Sequence, residues 1–173
     1  MSILDNGDVW QTEYTTGWLA HFRETGKLDW KLYPLPHNTS EVTGPGINLS
    51  TSRLMLVTSA GAYLPATQTP FDAPNPLGDY SVRTFPVWTR FDQIGYAHEH
   101  FNHAAVNEDP QVLLPINHLD AMVSEGAIGS LADDVISFSG YLPDCGRVIG
   151  ELIPEILREA RRQNAQGALL VPA

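Results

Sequence analysis

Arg53-Leu-Met-Leu-Val-Thr-Ser-Ala-Gly61 is the stretch that decides how this sequence is read. Leu54 to Val57 is a short continuous apolar run, not an alternating one, which is the pattern of a strand buried on both faces. It ends in small residues, Thr58-Ser59-Ala60-Gly61, whose hydroxyls and backbone N–H groups suit a carboxylate or another anion, although any tight turn uses the same residues. Two further runs repeat the pattern. Val135-Ile136-Ser137-Phe138 is stopped by Ser139-Gly140, and Gly167 to Ala173 contains Ala168-Leu169-Leu170-Val171, which reads as a third buried strand. Cys145 to Gln163 has a helical period with Val148, Ile149, Leu152, Ile153, Ile156, Leu157 and Ala160 inward, and Pro154 must kink or divide it. Asn107 to Pro115 reads as a turn into a helix from Ile116 to Glu125, ended by Gly126. Strands alternating with helices predict an α/β fold, a mostly parallel sheet with helices on both faces and right-handed crossovers. Ligands of such sheets lie outside the carboxyl ends of the strands. Thr58 to Gly61, Ser139-Gly140 and Pro172-Ala173 are therefore expected to converge on a site.

Outward from this core the signals weaken. Tyr80 to Phe85 alternates and predicts a partly exposed strand ending near Pro86, and Ile94 to His98 is a weaker strand candidate. Val9, Trp10, Tyr14, Trp18, Leu19 and Phe22 recur at three and four, which predicts an aromatic helix from about Asp8 to Glu24, followed by Gly26. Its stripe either covers the chain's own core or packs on a partner subunit. Trp30 to Ser52, with Pro34, Pro36 and Pro45 among Gly and Asn, predicts an extended arm. The expected organisation is residues 1–52 as helix and arm, and 53–173 as the α/β body of one domain.

Composition narrows the function. The 173 residues are 43% hydrophobic, enough for one core. A net charge of −10 with ten Lys and Arg repels a phosphate backbone, so nucleic acid is not an expected partner. No run approaches the roughly 20 apolar residues of a membrane span, and the first residues are neither basic nor followed by an apolar signal core. A cytoplasmic protein is expected. Cys145, the one cysteine, cannot form an internal disulfide, a Cys-rich metal site or a dithiol pair on its own. There is no Gly-x-Gly-x-x-Gly or Walker-type loop, so no dinucleotide is expected, and no cofactor is identified.

Three of the six histidines fall within His98-Glu-His-Phe-Asn-His103. On an extended segment His98 and His100 share a face, where they suit substrate binding and acid–base chemistry near neutral pH, or a Zn²⁺ or Fe²⁺ ion held with His103. A turn in which they merely bond the backbone is the structural alternative. Cys145 follows Pro143-Asp144 at a helix start, which acidifies a thiol, while Asp144 opposes that effect. It is either a nucleophile or a small packing residue. Arg83 can pair with a substrate carboxylate or form a surface ion pair with Asp79.

From Arg53 onward several segments resemble, in order, the selenoprotein B family of glycine, sarcosine, betaine and D-proline reductases. Arg53 to Gly61 resembles its opening strand and glycine turn, and Gly78-Asp-Tyr-Ser-Val-Arg83 its Gly-Asp-x-Ser-x-Arg element. His98 to His103 followed by Asp109 and Leu113-Leu-Pro-Ile116 is similar to its His-x-His segment and following helix. Glu125-Gly-Ala-Ile-Gly129 and Ser137-Phe-Ser-Gly140 match two further signatures, while Asn102 departs from an acid often found there. In that family the strand matching Ala168 to Pro172 leads into a Cys or selenocysteine motif that performs reductive cleavage, whereas this sequence stops at Ala173. The resemblance implies a reductase subunit or fragment, part of an oligomer, with the reactive thiol or selenol on a second subunit. Thr58, Ser59, Gly61, Arg83, Ser139 and Gly140 would then bind a small amino-acid-like substrate, and His98, His100, His103 and Cys145 would be the catalytic candidates. The rival expectations are a metal-dependent lyase or hydrolase built on the three histidines, and a non-catalytic assembly subunit using the Trp10, Tyr14, Trp18, Phe22 stripe.

Overall fold

The computed structural model describes residues 3–40, 46–97 and 103–173. The N-terminal helix forms as the aromatic stripe predicts. α1 (Gly7–Glu13) runs through a π turn at Tyr14–Trp18 into α2 (Leu19–Thr25), and Gly26, at φ +67°, ends it. Trp10, Tyr14 and Trp18 are buried within the chain itself, with Leu28, Tyr33, Leu77 and Cys145 packed against them. Trp10 stacks on Tyr14 and Tyr14 on Trp18, with ring centroids 4.8 and 5.4 Å apart. The Trp10 Nε1–H donates to the Pro34 carbonyl at 2.9 Å, so the arm is fastened to the helix it follows. Each large ring removed from water contributes roughly 2–3 kcal/mol. That gain keeps the helix on the body.

The arm is largely irregular, with 3₁₀ turns at Trp30–Leu32 and Leu49–Thr51. β1 (Arg53–Thr58) is the centre of the main sheet, buried at every residue after Arg53. β7 (Gly167–Val171) lies parallel along one flank from Leu54 opposite Gly167 to Thr58 opposite Val171. The other flank carries β5 (Ser130–Leu131) and then β6 (Asp134–Ser137), both parallel to β1. Three steps along β1, Leu54 to Val57, face five from Leu131 to Ile136, so the Ala132–Asp133 segment bulges out. Outside β6 runs β3 (Arg83–Pro86), antiparallel, while β2 (Ala62–Tyr63) and β4 (Gly95–Tyr96) pair separately.

Alternation along β1 sends Leu54 and Leu56 to one face and Met55 and Val57 to the other. The first face packs with Phe85, Val135 and α4 (Ile116–Ser124) through Ile116 and Leu119. The second packs with Ile136 and α6 (Ile153–Arg162) through Ile156 and Ala160. Helices therefore cover both faces, as the α/β reading expects. α3 (His103–Glu108) precedes a 3₁₀ turn at Pro110–Val112, and α5 (Cys145–Arg147) leads through a π turn at Val148–Leu152 into α6.

Four expectations need correction. β7 is an edge strand, not a buried one: Ala168 and Leu170 face out, Leu170 at 70% exposure. Leu157 is 47% exposed, because the π turn rotates the register of the helix between Val148 and Pro154. Pro154 itself lies in the first turn of α6, just after the π turn that divides α5 from α6, so the division expected there is present. Tyr80 to Val82 is not strand: Asp79 accepts from the Ser81 N–H at 2.9 Å and holds a turn there. The proposed strand from Ile94 shortens to Gly95–Tyr96, and His98 lies outside the described residues.

Candidate active site

Three turns meet at the carboxyl edge of β1, and their hydrogen bonds show how. The Ser59 N–H donates to the Val171 carbonyl at 3.1 Å and the Gly61 N–H to the Phe138 carbonyl at 2.9 Å. Phe138 N–H returns a bond to the Thr58 carbonyl at 3.0 Å, and Ala60 and Ser139 form an antiparallel bridge. Ala173 N–H donates to Ser59 Oγ at 2.9 Å. Thr58 to Gly61, Phe138-Ser139 and Val171 to Ala173 are thus laced together. Gly61 has φ +62°, a left-handed conformation that a side chain resists, which accounts for glycine at the corner.

The same bonds limit what the turn offers. Ala60 N–H donates to the buried Thr58 Oγ1 at 3.3 Å, and Ala62 N–H to the buried Ser137 Oγ at 2.8 Å. The N–H groups of residues 59 through 62 are therefore all spent inside the fold, so the turn is not a backbone cradle for an anion. The Thr58 and Ser59 hydroxyls keep their protons to donate. Gly140 is exposed beside Ser139, which is buried.

Arg83 reaches this end of the sheet because β3 runs antiparallel, opposite Ser137. Its guanidinium is committed to the fold: Nε donates to the Thr69 carbonyl at 3.0 Å, Nη1 to Ser81 Oγ at 2.8 Å, and Nη2 to the Pro70 carbonyl at 3.4 Å. It also lies 4.5 Å over the Phe71 ring. Asp79 completes this staple by accepting from the Asp72 N–H and from Ser81. Burial pushes the Asp79 carboxyl up, but the bonds from Ser81 and Asp72 and the charge of Arg83 outweigh it and hold it below the usual carboxylate range. The Gly-Asp-x-Ser-x-Arg element thus builds a loop next to the site.

His98 and His100 lie outside the described residues. His103 opens α3, and Val106, three residues on and so on the same helix face, packs with Ala60 and Leu113. The helix that carries His103 is therefore seated on the corner of the turn. Among the described residues there is no group of three or more His, Cys, Asp or Glu that would hold a metal ion. Cys145 stands apart in the aromatic cluster, half-buried, 4.0 Å from Tyr33 Oη. Burial raises its thiol above the ordinary value, Tyr33 partly offsets this, and the Asp144 charge raises it further. Asp144 also caps the short helix by accepting from the Arg147 N–H. The acidifying effect of a helix start does not prevail at this thiol.

One residue that the sequence did not single out joins the site. Tyr96 pairs with Ala62 across β2 and β4, and Ala97 N–H donates to the Gly61 carbonyl at 2.9 Å. Tyr96 packs against Ala60, Val106 and Leu113. On the other flank of the turn, a cavity of about 280 Å³ is lined by Val57, Ser59, Phe138, Leu170, Val171 and Pro172. Larger hollows, such as the 470 Å³ one bounded by Asp72, Asp79, Arg147 and Glu151, are lined by none of the convergent turns. The smaller one is the better candidate because four of its lining residues, Ser59, Phe138, Val171 and Pro172, belong to the convergent turns.

Fold and hydrogen bonds together define an α/β protein whose strand-end turns converge at one edge of the main sheet. Against known proteins, no family model and no solved structure matches. A curated relative, D-proline reductase subunit gamma of Acetoanaerobium sticklandii, is 30% identical over 115 residues. The match takes in 66% of this chain and 46% of that protein, so the chain spans about half the length of its relative. The similarity supports a reductase-related chain and does not single out selenoprotein B within that group. Among the described residues no helix is long and apolar enough to cross a membrane.

Proposed function

We propose that this chain is a subunit of a reductase-like oxidoreductase that binds a small amino-acid-like substrate at the carboxyl edge of β1. The observation that carries this reading is the lacing of Thr58–Gly61, Phe138-Ser139 and Val171–Ala173 at one sheet edge, in a chain similar to a protein named as a reductase subunit. In this reading Ser59, which lines the cavity, donates its hydroxyl proton to the substrate, while the fully buried Thr58 braces the turn by accepting from the Ala60 N–H. His103, with His98 and His100, positions it and moves protons. The reactive thiol or selenol comes from a second subunit, because Cys145 is raised in pKa and enclosed by aromatic rings away from the turn. Arg83 shapes the adjoining loop and does not bind the carboxylate.

The test is reconstitution. The purified chain, combined with a thiol- or selenol-bearing partner subunit and a dithiol donor, is expected to consume D-proline, and omission of either protein should stop the reaction. No consumption of D-proline, glycine, sarcosine or betaine by the combined proteins refutes the proposal.

A further inference from the structure

β7 closes the main sheet on one side and pairs, among the described residues, with β1 alone. The register fixes which of its backbone groups face out. Ser59 N–H donates to the Val171 carbonyl, so Gly167, Leu169 and Val171 turn their backbone groups to β1, and Ala168 and Leu170, between them, turn theirs away. Two N–H and two C=O groups therefore stand open along the edge, with no partner among the described residues. The side chains of the same two residues lie on the face of Met55 and Val57 and are exposed, Leu170 at 70%. Folded proteins blunt such an edge with a Lys, a Pro within the strand or a bulge. β7 has none of these, and no side chain from Gln163 to Ala173 is charged.

We infer that this edge is occupied by a second copy of the chain, β7 pairing antiparallel with β7 about a two-fold axis at Leu169. Ala168 of each copy then stands opposite Leu170 of the other, and each of these two pairs exchanges two N–H···O=C bonds. This register uses every outward group of both strands. A two-fold axis at Ala168 would set Leu170 against Gln166, whose N–H is spent on the Arg53 carbonyl, and one at Leu170 would set Ala168 against Pro172, which has no N–H. The side chains fit the same register. On the α6 face the large Leu170 lies beside the small Ala168 of the other copy, twice, and on the α4 face Leu169 meets Leu169. Charge points the same way. A net charge of −10 opposes self-association over most of the surface, and along this uncharged edge two copies meet without like charges opposed. The aromatic stripe of the N-terminal helix, the other surface suited to a partner, is spent on the chain's own core. Leu170 also lines the cavity beside Ser59, so Ala168 of the second copy borders that cavity.

Sedimentation equilibrium of the full chain should show a concentration-dependent dimer of twice the 19.0 kDa chain mass. Leu170→Lys should weaken that dimer by at least about tenfold, because it places a charge on each paired edge. Leu35→Lys, at a position 69% exposed on the arm, should leave it unchanged. Below the dissociation constant, Leu170→Lys should melt with the parent, which separates lost pairing from lost folding. Cysteine cross-linking reads the register. In a Cys145→Ser background, Leu169→Cys should form an intermolecular disulfide on mild oxidation, since the facing Cα atoms at the axis lie about 4.5 Å apart. Ala168→Cys should not, its counterpart lying beyond the roughly 7 Å that a disulfide spans. A chain that stays monomeric at every concentration, or a dimer that Leu170→Lys leaves intact, would overturn the inference, as would cross-linking through Ala168→Cys and not through Leu169→Cys. None of these readings depends on turnover, so they stand apart from the reconstitution that tests the proposed function.

Discussion

Asp79 shows how much one half-buried carboxylate can organise. It accepts from the backbone N–H groups of Asp72 and Ser81 and from the Ser81 hydroxyl, whose oxygen in turn accepts from Arg83. Asp79→Ala should cost about 1–2 kcal/mol at pH 7, read from urea unfolding, since several modest hydrogen bonds are lost at a partly solvated position. The sign of its pH dependence follows from a folded-state value held below the unfolded one. The stabilisation is fully present above the unfolded value of about 4 and is lost as pH falls through the folded one. The difference between parent and variant should therefore shrink near pH 3. Its neighbour Gly78 has φ +79°, and a Cβ there would stand 2.7 Å from the Tyr141 carbonyl oxygen. Gly78→Ala should destabilise by about 1–3 kcal/mol through overpacking against a backbone atom that has no rotamer to change. At Cys145 the raised thiol predicts slow alkylation by iodoacetamide at pH 7, slower than a free cysteine and accelerating above pH 9. A rate equal to that of free cysteine would contradict the enclosure described. The individual residues also mark where sequence reading stops. Arg83 could not be assigned from spacing, because what decides its role is which carbonyls fold back onto it.

The elements were legible where apolar pattern and burial coincide. β1, β6 and the aromatic helix follow from hydrophobic period, because each is buried within the chain on the sides its pattern shows. β7 has the same continuous apolar run as β1 but lies at the edge, since nothing in a run of Ala and Leu tells how many neighbours a strand has. The consequence is measurable. Leu56→Ala, at a buried position facing α4, should cost about 2–5 kcal/mol, whereas Leu170→Lys should change stability by no more than about 0.5 kcal/mol. The helix after Cys145 shows a different limit. Its period was readable, but a π turn at Val148–Leu152 shifts the register by one residue, and Leu157 swings outward while Ile156 stays against the sheet. β2, β4 and β5 are two residues each and carry no periodic signal, yet β2 and β4 are the pair that seats Tyr96 against Ala60 in the turn after β1.

At the scale of the molecule, the position of the site followed from topology. Parallel strands place their carboxyl ends together, so the three small-residue turns after β1, β6 and β7 had to meet if the fold was α/β. They do meet, with a net charge of −10 over the whole chain and no unspent backbone donor at residues 59 to 62. On the proposed reading the ligand is a zwitterion with no net charge, so its affinity should change little with ionic strength despite the acidic surface. The most direct test of the account is a ¹H–¹⁵N correlation spectrum of the full chain titrated with D-proline. The account predicts shifts concentrated at Ser59, Ala60, Gly61, Ala97, Phe138 and Ser139. An unchanged spectrum at saturating D-proline, or shifts confined to the hollow around Asp72, Asp79 and Glu151, would contradict it.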